Sequence, residues 1–304
     1  MPKCWMNCFV AALLTAACLS AQAGGVFIVS RKGVNAYRTA QNGFLQMAYT
    51  IPLQDLNPKA LELDGTEADQ GNLDKLKKAA PDLVFSVGAH ATKEVRKVLP
   101  DVWIVYAMVY YPEAEGLKDD PKMVGIESKG SARELRRIAG TFDRIRSVAI
   151  IHSTAIQPSI PRICADMESA GLGSTVYPVS DPSELAGVMD SLKGKEEAIL
   201  LLPDPITGNA DALRFILTKC MEWKVLPFSY SDSLVASGAL CGTFFSPDVI
   251  GNHGAKVADR ILKGNPPPSK VSAPEDPSVS CNNGTAKGLD VEFSRKIKPE
   301  ITYE

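Results

Sequence analysis

The sequence predicts an α/β fold built on parallel sheets. After residue 24, short apolar runs rich in Val, Ile, Phe and Tyr alternate with amphipathic stretches. Such runs suit strands buried on both faces. Regular alternation of strand and helix favours parallel strands joined by right-handed crossovers. At 304 residues the chain is long enough for one large or two medium domains.

Each element is predicted from its own pattern. Seven apolar runs are predicted strands: 26–30, 83–88, 102–108, 123–127, 147–153, 198–203 and 225–230. The amphipathic stretches predict helices at 37–49, 72–80, 132–142, 160–170, 183–192, 209–223 and 249–262. The helix at 183–192 has a clear start, because Asp181 can accept a hydrogen bond and Pro182 suits the first turn.

The pattern divides into two halves. The first runs from Gly24 to Asp119, and the loop 110–120, rich in acids with Pro and Gly, is expected to cross to the second half. The second half opens at Met123 and continues to about Thr243. A further helix and a proline-rich stretch follow it.

The first 23 residues are predicted to be an export signal. An apolar run at 8–19 has signal-peptide length, and Ala21-Gln22-Ala23 supplies the small-x-small cleavage pattern. We therefore expect cleavage after Ala23 and a periplasmic protein. A lipid anchor at Cys18 is the alternative, although Thr15 stands where a lipobox normally has Leu.

Composition and motifs exclude several classes of function. The net charge is −2 and no polybasic run occurs, so we expect no nucleic-acid partner. No nucleophile elbow, zinc-protease motif, P-loop or dinucleotide fingerprint is present. We expect neither an enzyme, a cofactor nor a metal site. Four cysteines follow the signal segment: Cys164, Cys220, Cys241 and Cys281. Their spacings fit no metal-binding motif. They allow three full disulfide pairings or free thiols, and the sequence does not decide among these.

Two loops of the first half follow strands and carry candidate ligand contacts. Small residues before a helix let a ligand approach free N–H groups, which favour a carboxylate. Aromatic side chains after the next strand suit an apolar ligand. The alternatives are a helix cap at His90 and core packing of the tyrosines. The candidates are Ser86, Gly88, Ala89, His90, Thr92, Tyr106, Ala107 and Tyr110.

The second half offers a complementary set at its own strand ends. Ligands of open parallel sheets bind at the carboxyl edge of the strands. An acid there can receive an ammonium group, although Asp204 between two prolines can also fix a turn and Asp232 can cap a helix. The candidates are His152, Ser153, Thr154, Asp204, Tyr230 and Asp232.

The chain resembles the ABC-transporter substrate-binding proteins of the type I periplasmic-binding fold, in the group that includes tryptophan- and tyrosine-binding receptors. The segments that carry the resemblance are VNAYRTAQNGF, PDLVFSVGAHATKEV, LLLPDPIT, VLPFSYSDSLVASGAL and SPDVIGNHGAKVADRILKGNPP. The resemblance implies two Rossmann-like lobes with parallel sheets, joined by a hinge of three crossings. The first lobe would comprise 24–119 and about 247–270, and the second 120–246 and about 271–304. It also implies that small and hydroxyl residues of the first lobe hold a carboxylate, while an acid of the second holds an ammonium group.

The chain also departs from this family. Ala89-His90 stands where amino-acid binders usually have Thr-Pro, and the loop 106–112 is unusually aromatic. We therefore expect a monomeric receptor that binds an aromatic or apolar amino-acid-like solute and delivers it to the membrane permease of an ABC importer. The first alternative is a sensory binding protein that signals to a membrane sensor. The second is a secreted hydrolase that uses His90 or His152.

Overall fold

The computed structural model describes residues 24–51, 53, 57–142 and 145–304. The expected signal segment and the alternative anchor at Cys18 lie outside the described residues. Two sheets form the frame of the molecule. In the described part of the chain, no helix is both long enough and apolar enough to span a bilayer.

The first sheet is built from the start of the chain and one later strand. Its elements in chain order are β1 Val26–Arg31, α1 Asn35–Ala48, β2 Lys59–Leu63, α2 Asp69–Ala79, β3 Leu83–Val87, α3 Ala89–Val98, β4 Trp103–Ala107 and β5 Met123–Ile126. Helix α9 Pro247–Leu262 and strand β11 Val271–Ser272 return to it later. The strand order is β11-β5-β4-β3-β1-β2, with every pairing parallel.

The second sheet contains most of the remaining chain. Its elements are α4 Ala132–Ala139, β6 Ser147–Ser153, α5 Ile160–Ser169, β7 Gly173–Val179, α6 Leu185–Leu192, β8 Ala198–Leu201, α7 Ala210–Trp223, β9 Leu226–Ser229, α8 Asp232–Ala236, β10 Cys241–Phe244, β12 Ser278–Asn282, α10 Asn283–Leu289 and β13 Ile301–Tyr303. Two short 3-10 helices, Thr154–Ser159 and Pro182–Glu184, precede α5 and α6. The order is β13-β12-β10-β9-β8-β6-β7, and only the β10–β12 pair is antiparallel among the described strands.

Helices cover both faces of each sheet, so each lobe has two apolar layers. The seven predicted strands and seven predicted helices all have counterparts in the structure, which confirms the predicted α/β class. In the first lobe, α1 and α9 pack with their backbones in contact. A Cβ atom on Gly43 would overlap the backbone of Asp248, and one on Gly251 would overlap that of Ala40. The glycines in two of the family-like segments therefore serve this helix pair.

The expected domain boundary at residues 119 and 120 is wrong. Strand β5 pairs with β4 through Ile104 and Met123, and β11 pairs with β5, so both belong to the first sheet. The loop 108–122 therefore connects two strands of the first lobe and does not cross to the second. The three connections between lobes are instead residues 127–131, 245–246 and 273–277.

The loop 108–122, called here the bridging loop, contacts both lobes. Val109 and Leu117 pack in the first-lobe core. Tyr110, Tyr111 and Ala114 pack against the second-lobe core. By chain order the loop belongs to the first lobe, while its middle is buried against the second.

A disulfide joins Cys241 and Cys281, which lie opposite each other on β10 and β12. Cys164 and Cys220 are free thiols. This resolves the pairing that the sequence left open.

Candidate functional site

Two buried hydroxyls hold the loop between β3 and α3 in place by hydrogen bonds. Ser86 and Thr92 are fully buried, and their side-chain oxygens lie 2.9 Å apart. Thr92 also donates to the carbonyl of Gly88 at 2.8 Å. Gly88 has a φ of +90°, and a Cβ there would overlap the ring of Tyr37. The two hydroxyls thus shape the loop, while Gly88 admits the tyrosine ring.

Helix α3 begins at Ala89, directly after this loop. The side chain of His90 is exposed and its Nε2 lies 3.8 Å from Oδ2 of Asp69. Burial alone would raise the pKa of Asp69, but backbone N–H donors, including those of Asp64 and Gly65, lower it below its usual range. His90 therefore faces the start of α2 rather than capping its own helix.

The tyrosines after β4 divide between core and loop. Tyr106 is buried, its ring leaves no room for a Cβ on Gly125, and burial raises its pKa far above the usual range. The carbonyl of Ala107 accepts a hydrogen bond from the N–H of Gly88 at 2.8 Å. Tyr110 lies on the bridging loop, where burial first and the neighbouring phenol of Tyr37 second raise its pKa.

The side chain of Tyr111, also on the bridging loop, carries a buried hydroxyl without a hydrogen-bond partner in the described residues. Its ring centroid lies 6.3 Å from that of Tyr110. The residue is only 8% exposed, and its hydroxyl has no hydrogen-bond partner among the described residues. Burial first, and the nearby carboxylate of Asp204 second, raise its pKa far above the usual range. The phenol is therefore neutral at physiological pH.

The end of β6 carries a buried imidazole and a buried hydroxyl. Nδ1 of His152 lies 2.8 Å from the carbonyl of Ser153. Within the described residues, Nε2 of His152 and Oγ of Ser153 have no partner. Thr154 begins the following 3-10 helix and is exposed.

Asp204 holds its own turn together. Its Oδ1 accepts from the N–H groups of Ile206 at 2.9 Å and Thr207 at 3.0 Å. Its Oδ2 accepts from the N–H of Ser153 at 2.5 Å. The side chain is buried, so the carboxylate ties the end of β6 to the turn after β8.

The two predicted residues after β9 point to different neighbours. Tyr230 is buried in the second-lobe core, and its hydroxyl lies 3.6 Å from the sulfur of Met167. Asp232 is the first residue of α8 and accepts from the hydroxyl of Tyr303 at 2.9 Å. Its other oxygen, Oδ1, is buried without a partner in the described part of the chain.

A cavity of about 670 Å³ lies between the bridging loop and the carboxyl edge of the second sheet. Tyr111, Ala114 and Glu115 form the side from the bridging loop. Residues after β6 and β8 and residues of α8 form the other side. Asp204 is the member of the predicted set that lines this cavity. The structure therefore brings Asp204 next to Ser153 and Tyr111, and gathers Ser86, Gly88 and Thr92 in a separate first-lobe cluster.

Sequence reasoning missed Tyr37 and left two roles open for Tyr111. Tyr37 comes from the start of α1, about fifty residues before Gly88, and only the fold brings them together. Tyr111 is one of three tyrosines in the candidate loop after β4, where the sequence allows either stacking on a ligand or core packing. Its orphaned hydroxyl depends on the packing of the bridging loop, which the sequence does not show.

A cluster of partly buried charges joins the bridging loop to the second lobe. Arg162 of α5 lies 2.6 Å from Glu113 of the bridging loop and 2.8 Å from Glu127 of the first inter-lobe connection. Lys129 pairs with Glu127 at 2.8 Å, and Ser159 donates to Glu113 at 2.8 Å. We call these four charged residues the Arg162 cluster. Among the described residues, no group of three or more potential metal ligands occurs.

The model of the ABC transporter substrate binding protein family matches residues 60–301. That match covers most of the chain. The chain belongs to this family. No curated protein matches it.

Solved structures support the same fold. A ligand-free, open substrate-binding protein with adhesive properties from Clostridium difficile has a TM-score of 0.70 at 18% identity, covering 92% of this chain and 99% of that one. An ABC domain in complex with L-Trp from Streptococcus pneumonia has a TM-score of 0.57 at 15% identity, covering 91% and 99%. A periplasmic ribose ABC transporter protein from Conexibacter woesei reaches 0.54 at 14% identity, covering 89% and 96%. The fold is therefore that of a type I periplasmic binding protein, as predicted.

Proposed function

We propose that this member of the family is a periplasmic receptor of an ABC importer, which binds an aromatic or apolar amino-acid-like solute between its lobes. The observation that carries the proposal is the cavity between the bridging loop and the second sheet. Its volume of about 670 Å³ suits a small molecule. Tyrosines stand at or near it on the bridging loop. The L-Trp complex of a structural relative is consistent with such a solute.

The start of α3 is the proposed contact for a carboxylate. The first N–H groups of a helix have no partner inside the helix, and the helix dipole favours an anion there. The braced turn at Gly88 fixes where Ala89 and His90 present these groups. Tyr37 and Tyr110 stand beside this end of the helix and would flank an aromatic solute.

The two acids of the second lobe differ in what they can offer an ammonium group. The oxygens of Asp204 already accept three backbone hydrogen bonds. Asp232 keeps one oxygen without a partner in the described residues. We therefore assign the ammonium contact to Asp232, with Asp204 as the less suitable partner.

The proposed mechanism is hinge closure. A solute that touches both lobes shifts the population toward the closed state, and the closed form docks on the permease. A sensory protein would use the same cleft. Uptake of radiolabelled solute by cells with and without the protein separates the two, because only a transport receptor is needed for uptake.

The test is a calorimetric titration of the purified protein with L-tryptophan, L-tyrosine, L-phenylalanine, L-leucine, D-ribose and L-arabinose. Saturable binding of at least one of the four amino acids without turnover supports the proposal. At 100 times its Kd such a ligand should add about 2.7 kcal/mol of stability, a thermal shift of a few degrees. Binding of the sugars alone would overturn the ligand class. N-terminal sequencing of the exported protein should begin at Gly24.

A further inference from the structure

The cavity beneath the bridging loop is mostly apolar. Its volume is about 670 Å³ and its apolar lining comes from five separate segments. The bridging loop supplies one alanine, the segments after β6 and β8 supply the middle, and α7 and α8 close it. These residues are Ala114, Ala155, Ile156, Pro203, Leu213 and Leu234. Such a lining favours an uncharged group of the ligand.

The polar side chains of the lining, Tyr111 apart, already have partners. Glu115 pairs with Lys93 of α3. The hydroxyls of Thr207, Ser233 and Ser237 each hydrogen-bond inside the second lobe. Asp204 is held by the three backbone donors described above. Its negative charge is thus compensated by neutral donors, and the cation of a ligand would have to compete with bonds that shape the turn.

The hydroxyl of Tyr111 is the exception. Tyr111 lines the cavity and is more than nine-tenths buried, and its hydroxyl is a buried atom that no described group donates to or accepts from. A buried hydroxyl without a partner is unfavourable, and a ligand that supplies the missing bond removes that cost. A phenol pairs well with another neutral hydroxyl, carbonyl or ring N–H.

We propose that Tyr111 is a specificity-determining residue that hydrogen-bonds an uncharged polar group at the buried, apolar end of the solute. Asp204 is then a positioning residue for the cavity wall and not the ammonium partner. The charged groups of the solute stay outside this cavity. This inference rests on the proposed function and specifies how the ligand is oriented in the cleft.

The first test compares L-tyrosine with L-phenylalanine by calorimetry on the wild type, Tyr111→Phe and the control Tyr49→Phe, at an exposed tyrosine that the proposed site does not use. L-tyrosine should bind the wild type about tenfold more tightly than L-phenylalanine. L-tyrosine can form a neutral hydrogen bond with the Tyr111 hydroxyl, whereas L-phenylalanine leaves that buried hydroxyl without a partner. Tyr111→Phe should abolish this preference, while Tyr49→Phe should keep it. Equal preference in wild type and Tyr111→Phe would overturn the inference and leave the receptor proposal standing. Failure of all amino acids to bind the wild type would refute the proposed ligand class and the inference together.

The second test separates the two roles of Asp204. The probes are L-tyrosine and 3-(4-hydroxyphenyl)propionate, which lacks the ammonium group. If Asp204 only positions the wall, Asp204→Asn weakens both ligands by a similar factor. A loss confined to L-tyrosine would show an ammonium contact and overturn the assignment. Asp232→Asn is the matched variant and should weaken L-tyrosine alone.

Discussion

Replacing Arg162 with glutamine should destabilise the protein strongly, because it removes the central cation of the partly buried Arg162 cluster. The Arg162 side chain is 22% exposed, while those of Glu113 and Glu127 are 7% and 14% exposed. Removing one partner of a buried ion pair leaves the other charge uncompensated, which typically costs about 3–5 kcal/mol.

The pKa of Glu127 gives an independent magnitude. Burial alone would raise it, but Lys129 and Arg162 lower it from 4.5 to about 2. A difference of that size between folded and unfolded states is worth about 3 kcal/mol. Lys129 still lowers the pKa of Glu127 when Arg162 is replaced. We therefore expect Arg162→Gln to lower the free energy of unfolding by about 2–4 kcal/mol at neutral pH.

The sign of the pH dependence follows from the lowered pKa. A carboxylate with a depressed folded pKa stabilises the protein above its unfolded pKa and loses that contribution as the pH falls toward the folded pKa. Between pH 7 and 3 the contribution of Glu127 should fall by about 2 kcal/mol. The burial-dominated rise in the pKa of Asp166, which lies 3.8 Å from Arg162, does not alter this direction for Glu127.

The assay is urea unfolding of wild type and Arg162→Gln at pH 7 and pH 3. The gap between them should be about 3 kcal/mol at pH 7 and should shrink at pH 3 by at most about 2 kcal/mol, because Lys129 still lowers the pKa of Glu127 in the variant. Arg214→Gln is the control, because its pair with Asp211 is 76% and 91% exposed and should contribute less than about 1 kcal/mol. A gap below about 1 kcal/mol at pH 7, or one that does not change with pH, would refute the reasoning.

Three further outcomes are expected. Gly88→Ala should cost about 1–3 kcal/mol by thermal unfolding, since it combines a positive φ with overlap on a ring, whereas Gly116→Ala, with a φ of +70° and open space, should cost clearly less. Replacing Cys241 and Cys281 together with serine should cost about 2–4 kcal/mol, because the disulfide closes a 40-residue separation; an unchanged midpoint in denaturant would contradict this. Cys220 should react with a thiol reagent only after unfolding, because burial raises its pKa to about 12; labelling of the native protein at this site, read by peptide mass mapping, would show the opposite.

The sequence predicts the layers of this fold better than its connections. Strands such as Val26–Arg31 and Ser147–Ser153 are apolar runs because both faces are covered, so their pattern is unambiguous. Strand β2, Lys59–Leu63, lies at a sheet edge with most of its side chains exposed, and β7 carries Pro178, so neither resembles a buried strand.

The boundary error has a different cause. The bridging loop is acidic and contains Pro and Gly, which is typical of a linker, and the strand after it is only four residues long. Composition does not reveal that this strand pairs back onto β4. The prediction of the site was limited in the same way. Strand ends indicate where ligands bind, but they do not show which hydroxyls lack a hydrogen-bond partner. That property of Tyr111 depends on contacts between segments far apart in the chain.

The bridging loop constrains how the lobes can move. Its tyrosines are packed in the second-lobe core, and Glu113 is paired with Arg162 of that lobe. Its ends continue into β4 and β5 of the first sheet. If the lobes close on a solute while these contacts persist, the rotation must be absorbed where the loop leaves the first sheet. Met108 stands at that point with a φ of +56°, a conformation that few non-glycine residues adopt. Since Tyr111 and Glu113 are two residues apart, the proposed ligand contact and the inter-lobe ion pair act on the same segment of chain.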